Sequence, residues 1–423
     1  MLVKLAYGKH GLPVDFPEDR TTVIEPQYVA GVPDEREALL RALREPMESP
    51  PLRSLVSSGQ SVAISVCDLT RPMPSSRVLP VLLNQLDHVP KERITILVAT
   101  GTHRTNTVEE LEGMLGREVV SNYRVVNHIS TDQSSLQHVG QTAGGIPVWI
   151  NRTWLESDIR IATGFVEPHF FAGFSGGPKM VAPGLAGLET VMHLHGARLL
   201  SHPESTWGIT EGNPIHDAIR EIARRTGVSF SLDVTINREH QITGVFAGEL
   251  FAVHAAACRF GKETAMRPVK EPFEIVVTTN SGYPLDLNLY QAVKGMSAAA
   301  RVVSPGGTII CAAECRDGIP EHGDYGNILA SAGGPEEILQ MIHSPGYARR
   351  DQWQAQLQAQ IQLKARVSLK STGLSDEQIR QAHLDPLDDI AAGISELNTR
   401  ARICVLPQGP QTIPYLERAP SVD

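Results

Sequence analysis

Three short stretches of this sequence carry side chains able to move protons, and each follows a run that reads as a buried strand. Residues 67–72 (CDLTRP) hold Asp68, Thr70 and Arg71. Residues 101–104 (GTHR) hold Thr102 and His103. Residues 164–179 (GFVEPHFFAGFSGGPK) hold His169, Gly173, Ser175, Gly176, Gly177 and Lys179, and an HLH triplet, His193 to His195, comes soon after. Histidine is the side chain most easily poised for proton transfer near neutral pH. Arginine can clamp a carboxylate through two parallel bonds, which lysine cannot copy. Small residues beside a lysine let the backbone approach a phosphorylated or metal-bearing ligand. Each stretch also has a plainer reading. Asp-x-Thr after a strand is commonly a turn or an N-cap. GTHR alone is compatible with a loop histidine, and His169 among aromatics with a satisfied core histidine.

The glycine-rich run 173–179 resembles a phosphate loop only superficially. It fails the G-x-x-x-x-G-K-[ST] pattern, because Pro178 separates Gly177 from Lys179 and Met180 replaces the hydroxyl residue. ATP hydrolysis is therefore disfavoured, while a nucleotide phosphate cradled by backbone amides stays open. His193 and His195 form a weak metal signal. On a helix, positions i and i+2 do not share a face, so only one of the two can point into a site. Farther on, residues 280–299 offer Tyr290, Gln291 and Lys294. Gln291 and Lys294 share a helix face at i, i+3, although a solvated surface is the ordinary fate of Gln and Lys. No G-x-G-x-x-G follows an early strand, which weighs against a dinucleotide site.

These residues need a frame. Apolar, β-branched runs predict strands over 61–66, 94–99 and 159–163, with helices over 76–86 and 108–115. Strand–loop–helix alternation of this kind gives a parallel sheet flanked by helices, with ligands beyond the carboxyl ends of the strands. The three proton-bearing loops all lie just there, so they are expected to converge on one crevice. Further strands are expected over 3–6, 22–24 and 125–129, and hairpins over 136–150 and 229–246. Helices are expected over 34–44, 214–226 and 250–260, and an amphipathic run starts at Leu185. Residues 265–272 (AMRPVKEP) read as a linker. Beyond it the alternation restarts with a strand over 273–278, a helix over 287–299 and a strand over 308–313. Helices over 336–342 and 352–362 follow, then a last strand over 401–406. The expected fold class is α/β, with two domains, 1–268 and 269–423, each built on a mainly parallel sheet flanked by helices.

Bulk properties narrow the function. At 423 residues, two domains are the natural prior. A net charge of −9 argues against a nucleic-acid partner, whose phosphates need a basic face. No apolar run is long enough for a membrane span, and the first residues lack a signal-peptide pattern. The five cysteines are scattered and form no disulfide framework, so a reduced, cytoplasmic protein is expected.

Taken together, CDLTRP, ATGTHR, EPHFFAGFSGGPK, HLHG and YQAVKG closely resemble the lactate racemase family, whose members use a nickel-pincer nucleotide. The resemblance covers nearly the whole chain. The motifs keep the family's order and spacing, with His103 preceding His169 by 66 residues and Lys179 preceding His195 by 16. It implies a racemase or epimerase of a 2-hydroxy acid, with the active site in the interdomain cleft and the C-terminal domain closing over it. The implied cofactor is a pyridinium mononucleotide, a 3-thioamide-5-thiocarboxylate, whose sulfur–carbon–sulfur pincer holds Ni(II). Lys179 matches the lysine that tethers it, and His195 the protein ligand of the nickel, with His193 the weaker candidate. His103 and His169 match two acid/bases, one per substrate hand. Asp68, Thr70, Thr102, Gly173, Ser175, Gly176 and Gly177 are the expected cofactor contacts. Arg71, Tyr290, Gln291, Lys294 and Trp353 are the expected substrate contacts. Implied partners are a small carboxylate-bearing hydroxy acid and the proteins that make the pincer nucleotide. Two other functions compete: a NAD- or metal-dependent oxidoreductase or lyase of small hydroxy acids, and a non-catalytic acid-binding protein.

Overall fold

A computed structural model describes residues 1–321, 323–397 and 400–417. The chain forms two compact units, Tyr28–Thr264 and a second made of Met1–Gln27 with Ala265–Asp423.

The Tyr28–Thr264 unit is built on six strands. Their order is Ile242–Gly248, Phe230–Ile236, Ile159–Phe165, Val62–Cys67, Ile94–Ala99 and Arg124–Asn127. The first pair is antiparallel and the others are parallel. Val62–Cys67 is buried at every position, which explains why it reads as an unbroken apolar run rather than an alternating one. From Val62–Cys67 the chain moves to its neighbour Ile94–Ala99. From Ile159–Phe165 it moves the opposite way, to Phe230–Ile236. The carboxyl ends of these two adjacent strands therefore flank a topological switch point, where doubly wound sheets open a crevice. CDLTRP and the 164–179 stretch leave from its two sides, and GTHR leaves from the next strand along.

Local chemistry sets the helix boundaries. Thr107 closes a capping box with Glu110 ahead of Val108–Leu115. Asn213 caps Pro214–Thr226 through the backbone N–H groups of Ile215 and His216, with Pro214 at the first position. The expected hairpin over 136–150 forms its own two-stranded sheet, Leu136–Gln141 with Pro147–Asn151. The expected hairpin over 229–246 instead forms the edge pair of the main sheet. The amphipathic run from Leu185 becomes helical only at Leu188, in Leu188–Leu194.

The other unit has an all-parallel sheet in the order Asp385–Pro386, Arg366–Lys370, Val303–Ala312, Phe273–Thr279, Ile403–Leu406 and Thr21–Val23. Its core gathers Leu5, Val14 and Phe16 from the chain start with Ile275, Ile310, Ile403 and Val405. Helix Leu289–Ala299 packs close to the sheet, because a Cβ on Gly295 would stand 2.0 Å from the Thr279 carbonyl oxygen.

The division expected at 268/269 needs two corrections. The first 27 residues belong with the C-terminal part, because Thr21–Val23 pairs with Ile403–Leu406. The stretch expected as a linker, 265–272, contains the strand Met266–Val269, paired in parallel with Ile413–Leu416. Among the described residues, no helix is long and apolar enough to cross a membrane.

Candidate functional site

Asp68 follows the central strand directly and is buried. Its Oδ2 lies 2.7 Å from His103 Nδ1. Its Oδ1 accepts from the Thr70 hydroxyl at 2.7 Å and from the Thr70 backbone N–H at 3.2 Å. Burial alone would raise the Asp68 carboxyl. The His103 hydrogen bond and charge, the Thr70 hydroxyl and the Arg71 guanidinium outweigh burial and hold it below its ordinary value. Asp68 is thus an ionised, fixed partner that puts the His103 proton on Nδ1 and leaves Nε2 for exchange. The His103 side chain is 50% exposed, as a group that meets a diffusing substrate must be. Asp68 thus serves His103 directly, and Thr70 holds Asp68 in place. Arg71 is half-buried on the same loop, and Thr102 is half-buried beside His103.

His169 sits on a two-residue strand, Pro168–His169, paired with Gly173–Phe174. The loop folds back so that His169 Nδ1 accepts from the backbone N–H groups of Ala172 at 3.3 Å and Phe171 at 3.5 Å. A neutral ring held this way carries its proton on Nε2, the opposite tautomer from His103. The buried ring stacks on Phe170 and meets Phe171 edge-on. Phe171 is a common neighbour for three of the expected functional groups. Its ring also meets His195 edge-on at 5.0 Å and lies 5.7 Å from Lys179 Nζ.

The glycines of this loop are explained by the protein's own packing. A Cβ on Gly173 would stand 2.1 Å from the Ile209 carbonyl oxygen, and one on Gly177 would stand 2.5 Å from the His254 ring. Gly176, at φ 72°, would collide with Val166. The faces a side chain would occupy are turned to protein. Ser175 is likewise engaged within the loop. Its hydroxyl donates to the Phe165 carbonyl at 2.8 Å and accepts from the Glu167 N–H at 3.0 Å. These four positions shape the loop that carries His169 and Lys179.

Lys179 lies half-buried in a short 3₁₀ turn, Gly177–Met180. His195 follows helix Leu188–Leu194 as its C-cap, and its Nδ1 donates to the Val191 carbonyl at 2.8 Å. Burial is the main cause that brings the His195 ring down to about 4. The Val191 bond opposes that fall, and the charges of Lys179 and His103 add to it. Lys179 and His103 therefore both lie within electrostatic reach of His195. A neutral imidazole with Nδ1 committed presents Nε2 as a lone pair, the form a metal requires. His193 is exposed, as the i, i+2 argument implies for one of the pair. Among the described residues, no three His, Cys, Asp or Glu side chains converge to hold a metal. His195, a neutral imidazole, has the chemistry of a single protein ligand to a metal ion.

Behind the loop lies a buried polar layer that sequence reasoning missed. His254 Nε2 donates to the Ser175 carbonyl at 2.9 Å, and His216 Nδ1 lies 3.2 Å from the Ala172 carbonyl. The two rings stack at 5.5 Å. Asp233 Oδ1 accepts from the Gly177 N–H at 3.2 Å, while its Oδ2 is buried with no partner. Burial pushes Asp233 up to about 7 and brings His216 and His254 down to about 3 and 4. The detectable signal was Asp233 itself, an acid in the middle of the apolar run FSLDVTI.

In the second unit, helix Leu289–Ala299 buries Leu289, Ala292, Val293 and Met296 and leaves Tyr290, Gln291 and Lys294 half-buried on one face. Asn288 caps this helix at the Gln291 N–H. Trp353, at the start of helix Gln352–Lys364, donates its indole N–H to the Tyr290 hydroxyl at 3.0 Å. Gln354 donates to the Tyr290 carbonyl at 2.5 Å. Tyr290 and Trp353, far apart in sequence, are thus brought together, and Gln354 is an unforeseen third member.

Comparison with known proteins gives these residues a family. The model of the lactate racemase N-terminal domain matches residues 7–208, and that of the lactate racemase C-terminal domain matches residues 269–413. The lactate racemase of Thermoanaerobacterium thermosaccharolyticum is 34% identical over 422 residues, covering 97% of this chain and 98% of that protein. The lactate racemase of Lactiplantibacillus plantarum is 37% identical over 417 residues, covering 94% and 98%. The structure of the T. thermosaccharolyticum lactate racemase apoprotein superposes with a TM-score of 0.92 at 32% identity, covering 99% of this chain and 100% of that one. A Thermotoga maritima protein of 21% identity shares the fold, with a TM-score of 0.70 over 92% of this chain and 100% of its own. The chain belongs to the lactate racemase family and is an isomerase of the racemase class.

Proposed function

We propose that this chain racemises lactate or a closely similar small 2-hydroxy acid, with a nickel-pincer nucleotide joined to Lys179 and nickel completed by His195. The Asp68–His103 pair carries the reading. A buried carboxylate fixes one imidazole at the carboxyl edge of the sheet, beside the loop that bears a second. The Cα–H of a 2-hydroxy acid is a very weak acid. Its stereochemistry is inverted more easily by removing hydride, which leaves a planar keto acid that can be reduced on either face. When bound, the pincer nucleotide supplies the hydride acceptor for that chemistry.

The chain's own groups handle protons, charge and orientation. Arg71 binds and orients the carboxylate. His103 takes the hydroxyl proton at Nε2, and Asp68 holds the ring and stabilises the resulting imidazolium. His169 serves the opposite hand, also at Nε2, since the loop amides occupy its Nδ1. With Nε2 open on His103 and protonated on His169, the pair starts as acceptor and donor for one hand, and the other hand needs the reverse loading. Lys179 supplies the amine for the covalent link. All five cysteines are free and buried, which supports a reducing, cytoplasmic setting.

The test is to produce the chain together with pincer-nucleotide biosynthesis proteins and incubate it with enantiopure L- and D-lactate. Chiral chromatography should show both converging on an equal mixture, and the Lys179 peptide should carry the adduct mass. Racemisation by protein with unmodified Lys179 overturns the cofactor assignment. Nicotinamide-dependent turnover to a keto acid overturns the racemase.

A further inference from the structure

His128 lies outside every motif that named the site, yet it joins the segments that carry it, through its buried ring on one side and its backbone on the other. Its Nε2 donates to the Ala186 carbonyl at 2.9 Å, and its Nδ1 accepts from the Asn151 amide at 3.2 Å. Its own carbonyl accepts from the Thr100 hydroxyl at 2.5 Å, and its N–H donates to the Val98 carbonyl at 3.0 Å. Thr100 and Gly101 open the loop that bears His103. Ala186 lies between the Lys179 turn and the helix that ends at His195. Backbone bonds also tie this segment, among them Gly101 N–H to the Gly184 carbonyl at 3.0 Å, Asn151 N–H to the Leu185 carbonyl at 2.9 Å and Leu188 N–H to the Ser130 carbonyl at 2.8 Å, and farther along the Thr190 hydroxyl donates to the Pro147 carbonyl at 2.8 Å. His128 thus links the two segments, its backbone bonded to Val98 and Thr100 on one side and its ring bonded at both nitrogens, to Ala186 and Asn151, on the other.

We infer that His128 is a positioning residue that sets the spacing between His103 on one loop and Lys179 and His195 on the next. The inference rests on the proposed racemase reading for its catalytic consequence, though the tie itself is independent of it. A shift of about 1 Å between reacting groups costs on the order of a hundredfold in rate. His128→Leu leaves the Ala186 carbonyl and the Asn151 amide without partners. His128→Gln can replace both bonds, since its amide donates and accepts across a similar reach. Asn151→Ser keeps the helix cap at Trp154 while withdrawing the donor from His128.

Two measurements decide it. In protein without cofactor, hydrogen exchange at the Gly101 amide should quicken at least about tenfold in His128→Leu and Asn151→Ser, and return to wild-type protection in His128→Gln. In loaded protein, His128→Leu should lower kcat about 10- to 100-fold. Its KM should stay within about threefold and its Lys179 adduct mass should be intact, and His128→Gln should recover most of the rate. The inference is overturned by unchanged Gly101 protection in both disruptive variants, by unchanged kcat, or by a loss that Gln fails to rescue. If His128→Leu does not fold, Asn151→Ser decides alone. Wild-type protein that fails to racemise lactate sinks the racemase reading, and the exchange data still judge the tie.

Discussion

Asp233→Asn removes the ionisable group buried beneath the Lys179 turn while preserving its shape. In the folded protein Asp233 Oδ1 accepts from Gly177, Oδ2 has no partner, and burial pushes the carboxyl from 3.8 up to about 7. The unfolded chain ionises near 3.8 and the folded one only near 7. Between those values the folded state therefore keeps a proton that the unfolded state has released. Stability from this group is full below about 3.8, falls as pH rises, and is lost once pH passes about 7. At 1.36 kcal/mol per pH unit the whole difference is roughly 4 kcal/mol, of which about 3 kcal/mol falls between pH 5 and pH 8. For a unit of this size that corresponds to roughly 5–10 °C in Tm. Thermal unfolding of wild type and Asp233→Asn at pH 5, 6, 7 and 8 measures it. The buried histidines give both proteins a shared rise in stability with pH, so the test is the difference between them: the variant should gain about 3 kcal/mol on wild type between pH 5 and pH 8. Exchange at the Gly177 amide reports the same event locally. Parallel curves for the two proteins would refute the reasoning, because they would mean that Asp233 ionises alike folded and unfolded.

Three further substitutions separate the roles assigned above. Asp68→Asn keeps a hydrogen-bonding side chain beside His103 but removes the charge that stabilises its imidazolium, so kcat for lactate should fall on the order of 10²–10³-fold with KM within about threefold. A smaller change in kcat with a large rise in KM would make Asp68 a binding residue instead. Ser175→Ala should destabilise the protein by about 1–3 kcal/mol in urea unfolding, because it strands the Glu167 N–H, while the folded fraction still acquires the Lys179 adduct. Lost loading at unchanged stability would return Ser175 to the cofactor. In a cycle of Trp353→Phe and Tyr290→Phe, each change should raise the KM for lactate severalfold and the double variant should be no worse than Tyr290→Phe, a coupling of about 1 kcal/mol.

The two central strands that lead to CDLTRP and GTHR were legible because they are almost wholly buried. VAISVC and ITILVA have no polar face to blur the signal, and each loop that follows them carries a chemically distinctive residue. His103 and His169 could be named from their loops; helix geometry implied that only one of His193 and His195 faces a site, and the family resemblance singled out His195. What escaped was whatever depends on contacts between distant segments. The Asp68–His103 bond joins residues 35 apart, and nothing in either tripeptide announces the other. The loop glycines suggested ligand approach, but at Gly173 and Gly177 the close neighbours are Ile209 and His254, supplied by later segments. Helix Gln352–Lys364 is the most misleading stretch. Its leucine and isoleucine spacing gave the helix, yet Gln354 and Gln358 are fully buried, bonded to the Tyr290 and Ala382 carbonyls. Buried glutamine is uninformative until its partners are known, since the same residue in water reads identically. The linker expected over 265–272 failed for a similar reason: MRPV becomes a strand only because Ile413–Leu416 lies alongside it.

The pairing of Thr21–Val23 with Ile403–Leu406 has a consequence for how the chain is made. The ribosome releases the first 27 residues long before their sheet exists. By the time residue 264 has emerged, the intervening unit holds every strand of its own sheet, while Thr21–Val23 still waits for a neighbour roughly 380 residues downstream. The unit made of the two chain ends is therefore completed last. A nascent chain that stalls after the Phe273–Thr279 strand is made but before residue 403 leaves Ile275 and Val277 facing an empty strand position, a ready template for pairing with another molecule.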